Sequence, residues 1–511
     1  MLFNSYEFLF LFLPITLFGF YVIAKFSFRL AAVWLGLASL FFYGFWNPKF
    51  VFLLIGSIVV NFVFGYLISK CRARFDTRLL LTIAISLNLV LLAYFKYTNF
   101  FVANINAISG SSIALQAIVL PLGISFFTFT QVAFLVDAHR GIADELDFIN
   151  YLLFVSFFPH LIAGPVLHHR QMMPQFRKPS IYRWNSEDVA VGLAIFILGM
   201  AKKVLIADSF AEYATPVFAV AEQGQQLQFI EAWAGALAYT LQLYFDFSGY
   251  SDMAVGLARM FGIHIPINFN SPYKAGNIIE FWRRWHITLS NFLRDYLYFA
   301  LGGNRLGPIR RYVNLFITMV LGGLWHGANW TFVIWGALHG ILLMANHACH
   351  ALGLRLDRVR GFWASPLRVL ATCFTFTLVV VAWVFFRAGS IGSALSIVYA
   401  MAFGHGVSLP PDLTNRLPHI PSVFFDAGFF PATRIAGNAL APLLGLGLVI
   451  VFFLPNSQEL ILEPARKRWE RLIFRRADGE LGLRAGLMLG CILAASLWSL
   501  TRASEFLYFQ F

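Results

Sequence analysis

One histidine of the chain lies inside an apolar stretch that is rich in glycine and tryptophan. His326 falls within the run Leu321 to Trp335, beside Gly322, Gly323 and Gly327. An imidazole exchanges protons near neutral pH and can act as a general base on a hydroxyl group, while glycines let a backbone or a ligand approach closely. Ionisable residues at membrane depth are commonly functional, but a histidine hydrogen-bonded between helices fits the position about equally well.

A second histidine lies forty residues earlier, in a segment with two chemically different faces. At 100° per residue, apolar and polar side chains of this segment fall on opposite arcs, which predicts an amphipathic helix at the inner membrane interface over 279–311. Glu280 is expected to support it by pairing with Arg284. The apolar arc contains Trp282, Trp285, His286, Leu289, Phe292 and Leu293, and the polar arc contains Arg283, Arg284, Ser290, Arg294 and Asp295.

Charged side chains near these histidines allow two readings each. Arg283, Arg284 and Arg294 could bind an anion such as phosphate, although a face turned to the membrane surface explains such a pattern more often. Asp246 and Asp252 lie among aromatic residues and could do acid/base work, although helix capping or pairing with arginine is the more frequent role of such carboxylates.

The chain contains no familiar metal or nucleophile motif. HExxH, GxSxG, P-loop and Rossmann patterns are absent from the sequence, so we expect no metal site. The cysteines lack CxxC spacing, which predicts free thiols rather than a disulfide framework. They are Cys71, Cys349, Cys373 and Cys491.

The composition excludes an ordinary soluble protein. Of the 511 residues, 59% are hydrophobic and only 12% are charged, with a mean hydropathy of +0.70. These values predict an all-α polytopic membrane protein. The net charge of +13 would suggest a nucleic-acid partner in a soluble protein, but the excess of Lys and Arg in cytoplasmic loops explains it here, so none is expected.

Apolar runs of spanning length predict about 11 to 12 transmembrane helices. The chain shows no internal repeat, so we predict a single membrane-embedded domain over 1–511, with the chemically informative residues in a core at about 113–400. The runs lie near 5–24, 31–46, 50–69, 79–96, 113–136, 188–206, 230–247, 312–328, 331–349, 367–386, 438–455 and 484–501.

The distribution of charges predicts which side of the membrane the loops face. Lys25 and Arg29 follow the first run, so the N-terminus is predicted to face outward, and the basic stretch Arg466 to Arg476 inward. The stretches 99–112, 207–229 and 405–437 carry few or no basic residues and are predicted outer loops. The segment 151–165 is broken by prolines and is predicted to re-enter without crossing, as a candidate wall of a central pocket.

Several motifs together carry a resemblance to a known family. The sequence resembles the membrane-bound O-acyltransferase (MBOAT) family and, within it, the bacterial alginate O-acetylases. The resemblance extends over about residues 1–400, and the last hundred residues match only in character. The motifs are Tyr244 to Ala254, Phe281 to His286, Leu297 to Arg305, Gly322 to Ala328, Pro121 to Phe127, Phe158 to Val166 and Val384 to Ala388.

The resemblance implies a site and a reaction. The family's catalytic histidine falls on His326 and its second motif histidine on His286. A ring of helices around a tunnel open to both faces is implied, in the inner membrane of a bacterium. Acetyl-CoA would bind as donor at the basic inner face, without any resident cofactor. Candidate donor- or substrate-binding residues are Arg283, Arg284, Arg294, Trp325, Asn329 and Asp246.

The acceptor and two competing functions are left open by the sequence. The acetyl group would pass to an exported polysaccharide such as alginate, acetylated cellulose or peptidoglycan, directly or through a periplasmic relay protein. One alternative is a transporter for an acetyl group or glycan precursor, with His326 as a proton relay. Another is a structural subunit of an export complex, in which His326 would tolerate substitution.

Overall fold

The computed structural model describes residues 1–71, 76–143, 145–353, 364–402, 406–409, 425–427, 440–462, 482–502 and 507. Most of these residues are helical. In chain order the helices are α1 (Phe8–Ala24), α2 (Phe28–Gly44), α3 (Pro48–Lys70), α4 (Thr77–Ser109), α5 (Ile124–His139), α6 (Phe148–Ser156), α7 (Phe158–Leu161), α8 (His169–Met172), α9 (Ser186–Glu222), α10 (Phe229–Met260), α11 (Ile278–Arg284), α12 (Ile287–Phe292), α13 (Pro308–His326), α14 (Trp330–Ala351), α15 (Ala364–Arg387), α16 (Ile391–Met401), α17 (Leu440–Phe453), α18 (Ser457–Ile461) and α19 (Leu483–Trp498).

Helix length and apolar composition confirm the prediction of an all-α polytopic membrane protein. Within the described ranges, five helices are long and apolar enough to cross a membrane, namely α3, α4, α9, α14 and most of α15. Shorter apolar helices include α1, α2, α16, α17 and α19. Beside the helices, Val407–Leu409 and Phe425–Ala427 pair as two parallel strands, with Ser408 opposite Asp426. The total of 11 to 12 crossings, the tunnel and the sidedness of the loops stay predictions.

Helix α4 extends beyond its apolar core. The stretch 99–112, predicted as an outer loop, is helical as far as Ser109. Polar side chains there bond back to the helix, as Asn104 Nδ2 does to the Phe100 carbonyl oxygen at 2.7 Å, so the helix accommodates them. Irregular backbone fills 110–123, and α5 begins at Ile124. The loop prediction was therefore wrong for 99–109, and the span predicted over 113–136 starts too early.

Helix α9 also continues where its acidic residues predicted a loop. Asp208 lies inside the helix, and its carboxylate is 2.8 Å from the Lys203 Nζ atom. Glu222, at the end of α9, accepts a hydrogen bond from the backbone N–H of Gly389 at 3.1 Å. Because the buried charge of Asp208 is compensated by a lysine of the same helix, the helix can continue past it. The outer-loop prediction was wrong for 207–222.

Contacts divide the chain into two compact units. The first comprises Met1–Ala201, Gly249–Asn268 and Ser457–Gln510, and the second comprises Lys202–Ser248, Phe269–Asn456 and Phe511. The prediction of a single domain stays a prediction. His286 and His326 both belong to the second unit, so this unit alone carries the candidate site. The predicted outer loop 405–437 is described only at 406–409 and 425–427, and Arg466 to Arg476 lies outside the described residues.

In the first unit, the proline-broken segment 151–165 is covered by protein. Its helices α6 and α7 are separated at Phe157, and nearly every residue of the segment is buried. Phe158 packs against Phe12 and Phe42, with ring centroids 5.2 Å and 5.5 Å apart. Burial of irregular backbone by protein is what a bilayer requires. Re-entry and a role as a pocket wall stay predictions.

Candidate active site

A helical hairpin in the second unit places His326 at a helix end. Helix α13 ends at His326, and α14 begins four residues later, at Trp330, after extended backbone at Gly327. Asn329 caps α14, because its side-chain oxygen accepts from the Thr331 N–H at 3.1 Å. Its Nδ2 donates to the Gly389 carbonyl oxygen at 2.8 Å. The turn after His326 is therefore held in place from both sides, and both polar groups of Asn329 serve the fold.

Glycines let the two helices of the hairpin touch through their backbones. A Cβ atom at Gly323 would lie 2.2 Å from the Phe332 carbonyl oxygen, and one at Gly336 would lie 2.4 Å from the Met319 carbonyl oxygen. Small residues are typical of helix pairs that pack closely in membranes. The close approach predicted from the glycines of this stretch is therefore, at Gly323, an approach of backbone to backbone.

Substituting Gly323 with alanine tests this packing. The added methyl group meets backbone rather than a movable side chain, so we expect a loss of about 1–3 kcal/mol of stability, with a lower unfolding temperature in detergent. Gly445→Ala is the matched control, because a Cβ atom at Gly445 in α17 would meet nothing within 4 Å. Equal unfolding temperatures for the two variants would contradict the backbone contact.

Aromatic rings surround His326. Its side chain is buried, with 6% of the residue exposed. The ring centroids of Trp325, Trp335 and Phe386 lie 4.9, 5.2 and 5.1 Å from that of His326, and the Trp335 ring is perpendicular to the imidazole. Rings in such edge-to-face positions fix the imidazole and lower the local dielectric constant. Charge that develops on a substrate here would therefore interact strongly with the imidazole.

His286 lies next to His326. The two ring centroids are 6.5 Å apart, and His286 is fully buried at 0% exposure. The Phe247 ring stands perpendicular to the His286 imidazole at 4.8 Å. His286 lies outside the candidate membrane-spanning helices, and burial lowers its pKa to about 3, so the ring is neutral near physiological pH. The structure thus brings together the two histidines that the sequence singled out.

The segment that carries His286 is bent rather than continuous. His286 has φ 42° and ψ 54°, a left-handed conformation that separates α11 from α12. The continuous amphipathic helix predicted over 279–311 is therefore wrong, because this backbone conformation breaks the helical hydrogen bonding. The predicted faces are confirmed. The apolar arc is buried at Trp282, Trp285, His286, Leu289, Phe292 and Leu293, whereas the polar arc is exposed or half-buried.

The three arginines of this segment differ in their surroundings. Arg284 Nη2 lies 2.7 Å from Glu280 Oε1, which confirms the predicted pair. Arg294 makes two hydrogen bonds to Asp295, at 2.7 and 3.0 Å. Arg283 is exposed. Two of the three guanidinium groups thus already have a carboxylate partner, which leaves Arg283 the best placed of the three to meet an external anion.

Both aspartates of the Tyr244 to Ala254 motif have partners inside the protein. Asp246 Oδ1 is 2.7 Å from Lys203 Nζ, which also contacts Asp208. In the first unit, Asp252 accepts hydrogen bonds from the Ser457 hydroxyl and the Gln458 amide. All of these groups are buried. Asp246 is therefore paired with a cation, as in the predicted alternative to acid/base work, but the cation is a lysine and not an arginine.

Some residues around the histidines were not singled out in the sequence. Trp335 and Phe386 contact the His326 ring, and His339 lies one helical turn beyond Trp335 on α14, with ring centroids 4.9 Å apart. The i, i+4 spacing of Trp335 and His339 was a usable signal, since it places both on one face of a helix. The pairing of Lys203 with Asp246 gave no such signal, because these two residues lie far apart in the sequence.

Comparison with known protein families shows to which family the chain with these two histidines belongs. The profile of the MBOAT, membrane-bound O-acyltransferase family matches residues 71–353, which contain both histidines. The chain belongs to the membrane-bound O-acyltransferase family. It is therefore an O-acyltransferase, that is, an enzyme. The alternative predictions of a transporter and of a structural subunit are not supported.

Individual relatives cover most of this acyltransferase. A peptidoglycan O-acetyltransferase of Helicobacter pylori is 44% identical over 437 residues, which are 80% of this chain and 81% of the relative. A probable alginate O-acetylase of Azotobacter vinelandii is 44% identical over 415 residues, or 80% of this chain and 79% of the relative. Another, of Pseudomonas putida, is 39% identical over the full length of both chains. The relatives are thus named for acetylation of two different polysaccharides.

Proposed function

We propose that this acyltransferase moves acetyl groups from cytoplasmic acetyl-CoA to hydroxyl groups of an exported polysaccharide such as alginate, in the inner membrane of a bacterium. The observation that carries the proposal is the pair of buried histidines, His326 and His286, with ring centroids 6.5 Å apart among aromatic side chains. A buried imidazole pair suits proton transfer between a hydroxyl group and a thioester. The full-length similarity to a probable alginate O-acetylase supports acetyl as the acyl group.

The proposed reaction is a single transfer that uses His326 as general base. His326 accepts the proton of the acceptor hydroxyl while its oxygen attacks the thioester carbonyl carbon. The new C–O bond forms, the C–S bond breaks, and the thiolate of coenzyme A leaves with the proton that His326 held. His286, neutral and packed against Phe247, supports the site by orienting the substrate or the catalytic imidazole. The reaction needs no resident cofactor.

The donor is proposed to meet the basic segment around α11. Coenzyme A carries phosphates, which guanidinium groups bind well. Arg283 and Arg294 are both exposed there, but Arg294 is held by Asp295 and Arg284 by Glu280. Of the predicted donor- and substrate-binding residues, Arg283 is thus the strongest candidate. Trp325, beside both histidines, remains a candidate for contact with the reacting groups.

Replacing Arg283 with glutamine tests the donor contact. We expect the KM for acetyl-CoA to rise about three- to tenfold with kcat nearly unchanged, because an exposed guanidinium group contributes to binding and not to the chemical step. Arg29→Gln is the control, since it removes the same charge from another exposed arginine that is predicted to face the cytoplasm. A KM for Arg283→Gln equal to that of the control would rule out this role.

The acceptor is proposed to be a sugar hydroxyl, reached directly or through a periplasmic relay protein. The relatives named above are a peptidoglycan O-acetyltransferase and probable alginate O-acetylases, and both polymers offer hydroxyl groups to an acetyl donor. Alginate is the first polymer to test, because the resemblance to alginate O-acetylases extends over the whole chain.

Purified protein in liposomes tests the proposed function. We expect radiolabelled acetyl-CoA to yield labelled alginate oligosaccharide when both are supplied, and free coenzyme A in equal amount. Peptidoglycan fragments serve as the competing acceptor. Label on neither glycan, with no release of coenzyme A, would refute the proposed donor. Label only after addition of periplasmic extract would favour a relay partner over direct transfer.

A further inference from the structure

A third histidine lies buried behind the candidate active site. His339 is fully buried on α14, at 0% exposure, four residues after Trp335. Trp335 contacts the His326 ring at 5.2 Å and the His339 ring at 4.9 Å. His339 therefore lies one aromatic ring away from the proposed general base, too far for direct proton transfer. Any effect on the reaction must pass through the residues that it holds.

His339 holds the helix that leads to His286. Trp282 Nε1 on α11 donates a hydrogen bond to His339 Nδ1 at 3.3 Å. The indole N–H can only donate, so Nδ1 of His339 must be unprotonated and the neutral ring carries its hydrogen on Nε2. Phe281, also on α11, stacks on the His339 ring with planes 9° apart and centroids 6.1 Å apart. Both consecutive aromatic residues of α11 thus contact one imidazole.

The position of α11 determines the position of His286. His286 follows α11 after one residue and adopts the left-handed conformation at φ 42°. A residue other than glycine is strained in this conformation, so surrounding contacts must hold it there. Contacts of Phe281 and Trp282 with His339 lie on the N-terminal side of this strained residue. They connect α14, which starts beside His326, to the segment that carries His286.

We infer that His339 is a positioning residue of the acyltransferase, which acts through Trp282 to set the distance between His286 and His326. This inference rests on the proposed function, since it assigns a role within the same reaction. Nδ1 of His339 acts as a hydrogen-bond acceptor at a fixed place in an apolar environment. Leucine would fill the space without accepting, whereas asparagine has its amide oxygen one bond from Cγ, where histidine has Nδ1.

A double-mutant cycle tests the inference in liposomes with acetyl-CoA and alginate oligosaccharide. We expect His339→Leu and Trp282→Phe each to lower kcat about tenfold, because small displacements of catalytic groups are costly, with KM for acetyl-CoA unchanged. The double variant should be no slower than either single variant, because both remove the same hydrogen bond. His339→Asn should retain kcat within about threefold of wild type, whereas His339→Gln, whose amide lies one bond further out, should resemble His339→Leu.

Independent losses would overturn the inference. If the fold-reduction of kcat in the double variant is about the product of those in the two single variants, His339 and Trp282 do not act through their hydrogen bond. If His339→Asn lowers kcat as much as His339→Leu does, the acceptor atom at this position is irrelevant. Should His339→Leu fail to fold, the difference in kcat between His339→Asn and His339→Gln, measured with and without Trp282→Phe, is sufficient to test the inference. An inactive wild-type protein would instead refute the proposed function and leave the cycle without a baseline, so the two failures are distinguishable.

Discussion

Replacing His326 with alanine should lower the rate of acetyl transfer by about 10²- to 10⁴-fold, the usual contribution of a general base. The fold should survive, because the neighbouring rings of Trp325, Trp335 and Phe386 remain and α13 ends at this residue in any case. The loss should appear in kcat, since the imidazole accepts the proton in the transition state and does not contribute to binding of the substrate in the ground state. Release of coenzyme A from acetyl-CoA, followed in liposomes, measures it.

His264→Ala is the matched control for this substitution. His264 is exposed, and its hydrogen bonds to Gln175 use its backbone N–H and carbonyl groups. We expect the control to keep wild-type kcat and unfolding temperature. A His326→Ala variant that stays folded and turns over at more than a tenth of the wild-type rate would be incompatible with general-base catalysis by this residue.

Replacing Lys203 with methionine should produce the largest loss of stability. Its Nζ lies 2.8 Å from Asp208 and 2.7 Å from Asp246, and the lysine is 1% exposed. Removing one partner of a buried ion pair leaves charge without compensation and typically costs about 3–5 kcal/mol. Methionine fills nearly the same volume, so the effect reports charge and not packing. We expect a much lower unfolding temperature and low membrane levels.

Two further variants separate charge from volume at this site. In Lys203→Met combined with Asp208→Asn and Asp246→Asn, both carboxylates become neutral, and we expect much of the stability to return. Lys49→Met removes an exposed lysine and should be nearly neutral. If Lys203→Met unfolds at the same temperature as Lys49→Met, the ion pairs contribute little. If the triple variant is less stable than Lys203→Met, charge is not the cause.

Local patterns in the sequence were sufficient to predict a membrane protein and to predict which side of the His286 segment is buried. Apolar runs of spanning length require helices in a bilayer, because backbone groups there must bond within their own segment. The 100° periodicity correctly separated buried Trp282 from exposed Arg283. The proximity of His326 and His286 followed from the family resemblance and not from periodicity, since forty residues separate them.

Features that depend on distant partners could not be read from the sequence. The left-handed conformation of His286 has no local marker such as glycine or asparagine. The acidic stretch after Ala207 was predicted to be a loop, although Asp208 pairs with Lys203 in the same helix and Glu222 accepts from Gly389 far along the chain. Asp246 looked available for chemistry because its partner Lys203 lies far from it in the sequence. At Asp246 and Glu222, a contact with a residue distant in the sequence satisfies a carboxylate that a local pattern leaves unpaired.

The O-acetyl content of exported polysaccharide tests the central claim most directly. Cells would carry His326→Ala in place of the native gene, with membrane levels matched by immunoblot and His264→Ala as control. We predict that polymer export continues while its O-acetyl content falls to that of a deletion strain. Native acetylation in the His326→Ala cells would contradict the account, because the buried imidazole would then be a structural histidine and not the general base.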